Sequence, residues 1–253
     1  MVDHQFAEPS LAALYDLFCP WDPRGDFGFY LPLVMAAGSV LDVGCGTGML
    51  LRRAREEGHR GRLCGLDPAA AMLGVARAGG DIEWVLGDLS STRWDHEFDL
   101  VVMTGHAFQV LTGDEQLHEA LSAVRGALAA GGRFAFETRN PLVREWKQWV
   151  PANAAEVTDP GGALVRMAHQ VELPVRGDLV SFTTTYSSPS WERPQYSSST
   201  LRFLDAGALS SFLAAAGLEI EEQYGDWDGT PPGPASPEII TIARRAGTAG
   251  SLA

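Results

Sequence analysis

The stretch Val40-Leu41-Asp42-Val43-Gly44-Cys45-Gly46-Thr47-Gly48 decides how this chain is read. Val40, Leu41 and Val43 make a short apolar run of the kind that forms a buried strand. Gly44, Gly46 and Gly48 follow at every second position. Having no Cβ, they leave the backbone free to turn tightly and to approach a ligand. Met49, Leu50 and Leu51 open a helix, whose first N–H groups lack intrahelical acceptors and face whatever lies on the turn. A strand, a glycine turn and a helix in this order hold a ligand at the carboxyl end of the strand.

The spacing narrows the ligand. A dinucleotide fingerprint, G-x-G-x-x-G, needs a third glycine at 49 or 51, where Met49 and Leu51 stand. No Lys-Ser/Thr pair follows a glycine here, so the phosphate-binding P-loop is also excluded. Asp42 would repel a pyrophosphate and suits a cationic ligand. The pattern D-x-G-x-G-x-G resembles motif I of the class I S-adenosylmethionine-dependent methyltransferases. That resemblance implies S-adenosyl-L-methionine, with its ammonium and sulfonium, as cofactor and S-adenosyl-L-homocysteine as product.

The pattern then repeats. Leu63 to Asp67 is a second buried strand ending in an acid, 21 residues after Gly46. An acid near that spacing grips ribose hydroxyls. Pro68 is placed to start a helix carrying Ala71, Met72, Leu73 and Ala76. A third strand, Ile82 to Leu86, ends in Gly87-Asp88-Leu89, where a carboxylate can accept from the adenine amine. Phe98 to Met103 forms the fourth strand and leads into Thr104-Gly105-His106. A helix from about Glu115 to Leu128 precedes a fifth strand, Gly131 to Glu137. The resemblance covers 40–138 and resumes over 205–244, with a helix, a strand near Leu218–Tyr224 and a last strand near Glu238–Ala243. It implies an α/β, Rossmann-like fold with a seven-stranded, mostly parallel sheet whose last strand is antiparallel. It also implies cofactor contacts from Tyr15, Asp42, Gly44, Cys45, Gly46, Gly48, Asp67, Pro68, Met72, Gly87, Asp88, Leu89, Met103 and Thr104.

Bulk properties set further bounds. The 253 residues are 45% hydrophobic, ordinary for a folded soluble chain. No apolar run approaches the ~18 residues of a membrane helix, so no membrane partner is expected. Met1 to Pro9 lacks the order of a signal peptide. The three cysteines, Cys19, Cys45 and Cys64, show no metal spacing. A cytoplasmic location and no metal are the expectations. Acids outnumber bases 32 to 19, giving a net charge of -13, which argues against nucleic acid as a partner. Arg52-Arg53-Ala54-Arg55 reads as the solvated face of the first core helix. A monomer or homodimer is expected.

Two segments lie outside the core pattern. Residues 1–38 are read as an aromatic-rich helical cap with a helix over Leu11–Leu17, broken by Cys19-Pro20-Trp21-Asp22-Pro23. By resemblance such a cap covers the cofactor, with Tyr15 at the methionine carboxylate. Residues 139–204 are read as an antiparallel lid insert. Val165, Met167, His169, Val171 and Leu173 share one face, as do Val180, Phe182, Thr184 and Tyr186, and a third strand is expected at Ser198–Phe203. The organisation is thus a cap (1–38), a cofactor-binding core (39–138), a lid (139–204), the end of the core (205–244) and a flexible tail (245–253). The lid sheet is expected to cover the site or, alternatively, to form a dimer interface.

Methyl transfer from a sulfonium chiefly requires alignment, with a base only where the nucleophile must lose a proton. His106, just after the fourth strand, is the first candidate base; His169 and Glu137 follow. His106, Phe108, Gln109, Glu137, Arg139, Trp191 and Tyr196 are the candidate substrate contacts. Thr104-Gly105-His106-Ala107 replaces the Asn/Asp-Pro-Pro-Tyr signature of nucleic-acid amino methyltransferases. The expectation is methylation of oxygen or nitrogen on a small molecule. The alternatives are a protein or RNA methyltransferase, or a non-catalytic S-adenosylmethionine-binding regulator.

Overall fold

The computed structural model describes residues 2–22, 25–77 and 81–246. In chain order its strands are β1 (Ser39–Val43), β2 (Arg62–Asp67), β3 (Glu83–Leu86), β4 (Phe98–Met103), β5 (Leu128–Arg139), β6 (Ala155–Thr158), β7 (Leu164–Val171), β8 (Leu179–Ser187), β9 (Gln195–Arg202), β10 (Leu218–Tyr224) and β11 (Glu238–Arg245). Its helices are α1 (His4–Ala7), α2 (Pro9–Ala12), α3 (Tyr15–Phe18), α4 (Asp26–Ala36), α5 (Met49–Glu56), α6 (Ala70–Ala76), α7 (Asp114–Ala127) and α8 (Ala206–Ala215). Seven strands form one sheet in the order β10-β11-β5-β4-β1-β2-β3. β11 runs antiparallel to both neighbours, and the other pairs are parallel. The strand order reverses beside β1, which opens a crevice at its carboxyl end.

Both sheet faces are covered, as parallel strands require. On one face, Leu117 and Leu121 of α7 and Leu209 and Leu213 of α8 pack with Phe134 and Phe136. On the other, Tyr30 and Val34 of α4 and Leu50 and Leu51 of α5 pack with Val40, Leu63, Leu100 and Val102. Local signals set the helix ends. Asp205 accepts from Ala208 N at 2.8 Å and caps α8. Asp114 and Glu115 sit in the first turn of α7 and Arg125 in its last, each complementing the helix dipole.

The insert is a separate antiparallel sheet, β6-β7-β8-β9. Its β8 alternates as expected, with Val180, Phe182, Thr184 and Tyr186 buried. This inward face docks on the amino-terminal helices within the same chain. Val165 and Tyr186 pack with Leu11 and Leu14. Gln5 N donates to Ser197 Oγ (3.0 Å), Tyr186 OH donates to Gln5 Oε1 (3.0 Å) and Ser199 Oγ donates to Asp3 Oδ2 (2.5 Å). The same amino-terminal segment is tied to the glycine turn. Asp16 accepts from Thr47 Oγ1 at 2.5 Å and pairs with Arg52 at 3.1 Å. It therefore works as a strap between the turn and the lid.

Several sequence expectations need correction. The single helix over Leu11–Leu17 is two short helices, α2 and α3, broken at Ala13–Leu14. Helix α4 was not expected, because apolar residues surround it and Pro32 lies inside it. The helix after Pro68 begins two residues later, at Ala70. The lid has four strands; β6 is too short and too polar to announce itself. Leu173 lies beyond the end of β7 and is 81% exposed. Arg52 is not simply solvated, since it holds Asp16. Arg55 likewise donates to Gly61 O and Asp81 O. The tail called flexible lies outside the described residues from 247 onward.

Candidate active site

The glycine turn is fixed by β2. Gly44 N and Cys45 N donate to Leu66 O at 2.8 and 3.2 Å. Asp67 then spends one oxygen on each side of the crevice: Oδ2 accepts from Gly46 N (2.8 Å) and Oδ1 from Ala69 N (2.7 Å). Gly46 has φ +56°, and a Cβ there would lie 3.3 Å from Met72 Cε. Gly48 has φ +72°, and a Cβ would come within 2.2 Å of the Trp84 ring. Position 48 therefore requires glycine for conformation and for space, and position 46 for its left-handed backbone. Met72 packs with Ala12, Phe6 and Tyr15 of the strap.

Asp42 is 1% exposed, and its Oδ1 has no hydrogen-bond partner. Burial first, then the charges of Asp67 and Glu137, push its carboxyl up to about 8. A buried carboxylate with a free oxygen, beside a second carboxylate on a glycine cradle, fits a ligand that brings positive charge. Asp88 differs in kind. Its Oδ1 accepts from Ser90 N (2.9 Å), Ser91 N (3.0 Å) and Ser90 Oγ (2.5 Å), and these bonds, Ser90 first, hold its pKa down.

Strand register carries the acidic face further. Side chains two apart on a strand share a face. Asp42, Asp67, Glu137 and Glu238 all fall on the α4–α5 side at the carboxyl ends of β1, β2 and β5 and the start of β11. Glu137 is fully buried. It accepts from Tyr30 OH and from His106 N, the latter at 2.6 Å, and so holds the tip that follows β4. Burial pushes Glu137 up to about 7. His106 has φ +62°, and its Nε2 lies 3.0 and 3.1 Å from the two oxygens of Glu238. Burial first, then the Arg139 cation, push His106 down to about 4. Burial likewise pushes Glu238 up to about 8. Both shifts favour the uncharged forms. At neutral pH the imidazole is uncharged and one proton is shared across the pair.

Around this pair stand the remaining polar groups. Asp26, at the start of α4, is raised by burial and feels the charges of His106 and Glu238. The Tyr15 hydroxyl lies 3.9 Å from where a Gly105 Cβ would project. Arg139 NH1 donates to Gln109 Oε1 (3.0 Å), its Nε pairs with Glu145 (2.7 Å), and its guanidinium lies over the Trp149 ring at 5.3 Å. His169 Nδ1 is 3.0 Å from Thr184 Oγ1 on the lid, and burial and Arg139 lower its pKa.

The structure thus gathers Tyr15, Asp42, Gly44, Gly46, Asp67, Met72, Thr104, His106, Glu137 and Arg139 about one crevice. Other expected contacts are placed differently. Phe108 is stacked on Phe136 at 4.3 Å in the core. The side chains of Met103 and Leu89 are in that same core, and Cys45 packs against Leu73, Ala76 and Trp84. Gln109 is 1% exposed and ties the β4 tip to Arg202 O (2.9 Å) as well as to Arg139. Trp191 packs against the strap–lid cluster. Tyr196 pairs with Thr185, on the opposite face of the lid from Phe182 and Thr184, and is 60% exposed. The alternation rule assigns it outward, a signal that weight on its aromatic character overrode. Asp16, Asp26, Tyr30 and Glu238 were missed. Only Glu238 carried a sequence cue, an acid opening the apolar run Ile239–Ile242.

A glycine cradle at the switch point, an unpartnered buried Asp42 and a strand-end Asp67 define a class of protein. The fold is that of the class I S-adenosylmethionine-dependent methyltransferases, and the segment carrying the cradle is similar to a methyltransferase domain. Residues 40–132 match the family model described as a methyltransferase domain. A 2-phytyl-1,4-naphtoquinone methyltransferase of Thermosynechococcus vestitus is 32% identical over 120 residues, 44% of this chain and 52% of that protein. The match thus spans about half the length of that relative. A cypemycin N-terminal methyltransferase from Streptomyces sp is 26% identical over 82% of this chain and 83% of its own length. The crystal structure of an S-adenosylmethionine-dependent methyltransferase from Clostridium acetobutylicum superposes with a TM-score of 0.75 at 18% identity, covering 94% of this chain and 98% of that one. No helix among the described residues is long and apolar enough to cross a membrane.

Proposed function

We propose that this methyltransferase acts on the nitrogen of a small-molecule amine. The observation that carries the reading is the group of acids about His106. Asp26, Glu137 and Glu238 surround His106 at the tip that follows β4. Bound S-adenosylmethionine supplies an electrophilic methyl on a sulfonium and leaves as the neutral thioether S-adenosylhomocysteine. Asp42, Asp67 and the Gly44–Gly48 turn would hold it, with Met72 and Tyr15 of the strap closing over it.

The chain's own groups then do two things. A protonated amine entering among Asp26, Glu137 and Glu238 favours their ionised forms and is held by the carboxylates it creates. Glu238, once it has lost its own proton, accepts the one that the amine must give up to expose its lone pair. An isolated imidazole held near 4 is a weak base at neutral pH. Glu238, held near 8, is well matched to that task, with His106 fixing its geometry. Arg139, anchored by Gln109 and Glu145, orients polar groups of the acceptor, and the lid and strap exclude water. The name of the cypemycin relative, which points to a terminal amine as that protein's acceptor, agrees with this class. The test is formation of S-adenosylhomocysteine with matched amine and alcohol acceptors of the same skeleton. Turnover with amines and none with the alcohols supports the reading; the reverse overturns it.

A further inference from the structure

Asp42 is a carboxylate in an unusual position. It lies at the fourth residue of a central strand, is buried to 1% exposure, and keeps Oδ1 without any partner. Leaving a buried polar atom unpaired is costly, and more so when it is charged. The groups whose charge acts on Asp42 are themselves acids, Asp67 of β2 and Glu137 of β5. The thiols of Cys45, in the turn, and Cys64, on β2, also feel its charge, and burial holds both protonated. From α4, Tyr30 donates to Glu137 and not to Asp42. Nothing facing Asp42 from these elements compensates a negative charge.

We infer that Asp42 carries a proton in the ligand-free protein and gives it up when S-adenosylmethionine binds, so that the ligand's extra positive charge takes the proton's place. In the balance, the carboxylic acid O–H breaks, the proton goes to solvent, and the carboxylate faces the incoming cation. S-adenosylhomocysteine differs from S-adenosylmethionine by one methyl group and one positive charge. It offers no sulfonium to balance the carboxylate, so Asp42 takes a proton back after transfer. The site thereby distinguishes cofactor from product by charge and loosens its hold once the methyl has left. The inference rests on the cofactor assignment and is independent of which acceptor is methylated.

Calorimetric titration at pH 7 in two buffers of different ionisation enthalpy counts the protons released. The expected result is close to one more proton released with S-adenosylmethionine than with S-adenosylhomocysteine. The α-ammonium is common to both ligands and cancels in this difference. Affinity for S-adenosylmethionine should rise by up to tenfold per pH unit from pH 6 to about pH 8 relative to the product, then level. Asp42→Asn should abolish the difference in protons, whereas Glu137→Gln should keep it. Should Asp42→Asn not fold, infrared difference spectra of the unaltered protein decide instead. A protonated-carboxyl C=O band should disappear on adding S-adenosylmethionine and persist with S-adenosylhomocysteine. Equal proton release for the two ligands, release that survives Asp42→Asn, or an unchanged carboxyl band overturns the inference.

Discussion

Asp67→Ala separates a residue that only touches a ligand from one that builds the site. Both Asp67 oxygens accept backbone N–H groups, from Gly46 at 2.8 Å and Ala69 at 2.7 Å, while each keeps a second lone pair for a ligand hydroxyl. Removing the carboxylate leaves two donors unpaired in a region that is largely buried. A hydrogen bond to a charged acceptor is worth about 1.5–3 kcal/mol. Burial of the charge offsets part of this, since burial raises the Asp67 pKa above its ordinary range. The net loss expected is about 2–4 kcal/mol, or roughly 4–16 °C in Tm for a chain of this size. Thermal unfolding followed by circular dichroism, without any ligand, measures it. Asp67→Asn keeps one acceptor oxygen and should lose about half as much. Cofactor affinity should fall in both variants, because the turn that presents Gly46 is no longer pinned. If Asp67→Ala left the ligand-free Tm within about 1 °C of the parent, the structural role argued for Asp67 would be wrong.

Other outcomes follow from the same geometry. Gly46→Val forces a branched residue to φ +56° against Met72 and should abolish calorimetrically detectable S-adenosylmethionine binding; normal binding would show that the turn does not touch the cofactor. Glu238→Gln should lower kcat ~10²–10⁴-fold, the usual cost of a lost general base, and should remove the rise of kcat towards pH 8 while leaving cofactor affinity unchanged; a small loss with an intact pH profile would reduce the His106–Glu238 pair to a positioning role. Trp191→Ala should raise the acceptor KM by loosening the lid from Leu11 and Leu14, whereas Tyr196→Ala, on the outer face, should leave it unaltered; the opposite ranking would reverse the assignment of the lid's two faces. Asp42 titrates near 8 folded and near 4 unfolded. Its contribution to stability is therefore fully present below about pH 4 and is lost as pH rises to about 8. Urea unfolding of Asp42→Asn should show a shallower fall across that window than the parent, and parallel curves would contradict the burial argument.

Much of the core was legible because each element announced itself locally. Val40–Val43, Leu63–Asp67 and Phe98–Met103 are short apolar runs ending in turn residues, and their length and flanking glycines favour buried parallel strands. The glycine spacing and Asp42 limited the ligand by sterics and charge. What escaped was tertiary. Glu238 and His106 stand 132 residues apart and meet only because β11 inserts beside β5. Asp16 reaches Thr47 and Arg52 because the strap folds back across the turn. Phe108 looked like a pocket aromatic, but the 3₁₀ turn at Ala107–Val110 points it onto Phe136. The lowered pKa of His106 escaped for the same reason, since neither its burial nor the Arg139 charge beside it is encoded near residue 106.

The central claim is that this cradle delivers the methyl of S-adenosylmethionine to nitrogen. Reaction with S-adenosylmethionine carrying a ¹³C-labelled methyl, on a small acceptor bearing both an amine and a hydroxyl, tests it most directly. The account predicts that carbon NMR of the product places the label in an N-methyl group, with S-adenosylhomocysteine formed in equal amount. Label found in an O-methyl group, or S-adenosylmethionine bound with no transfer to any amine, would contradict it.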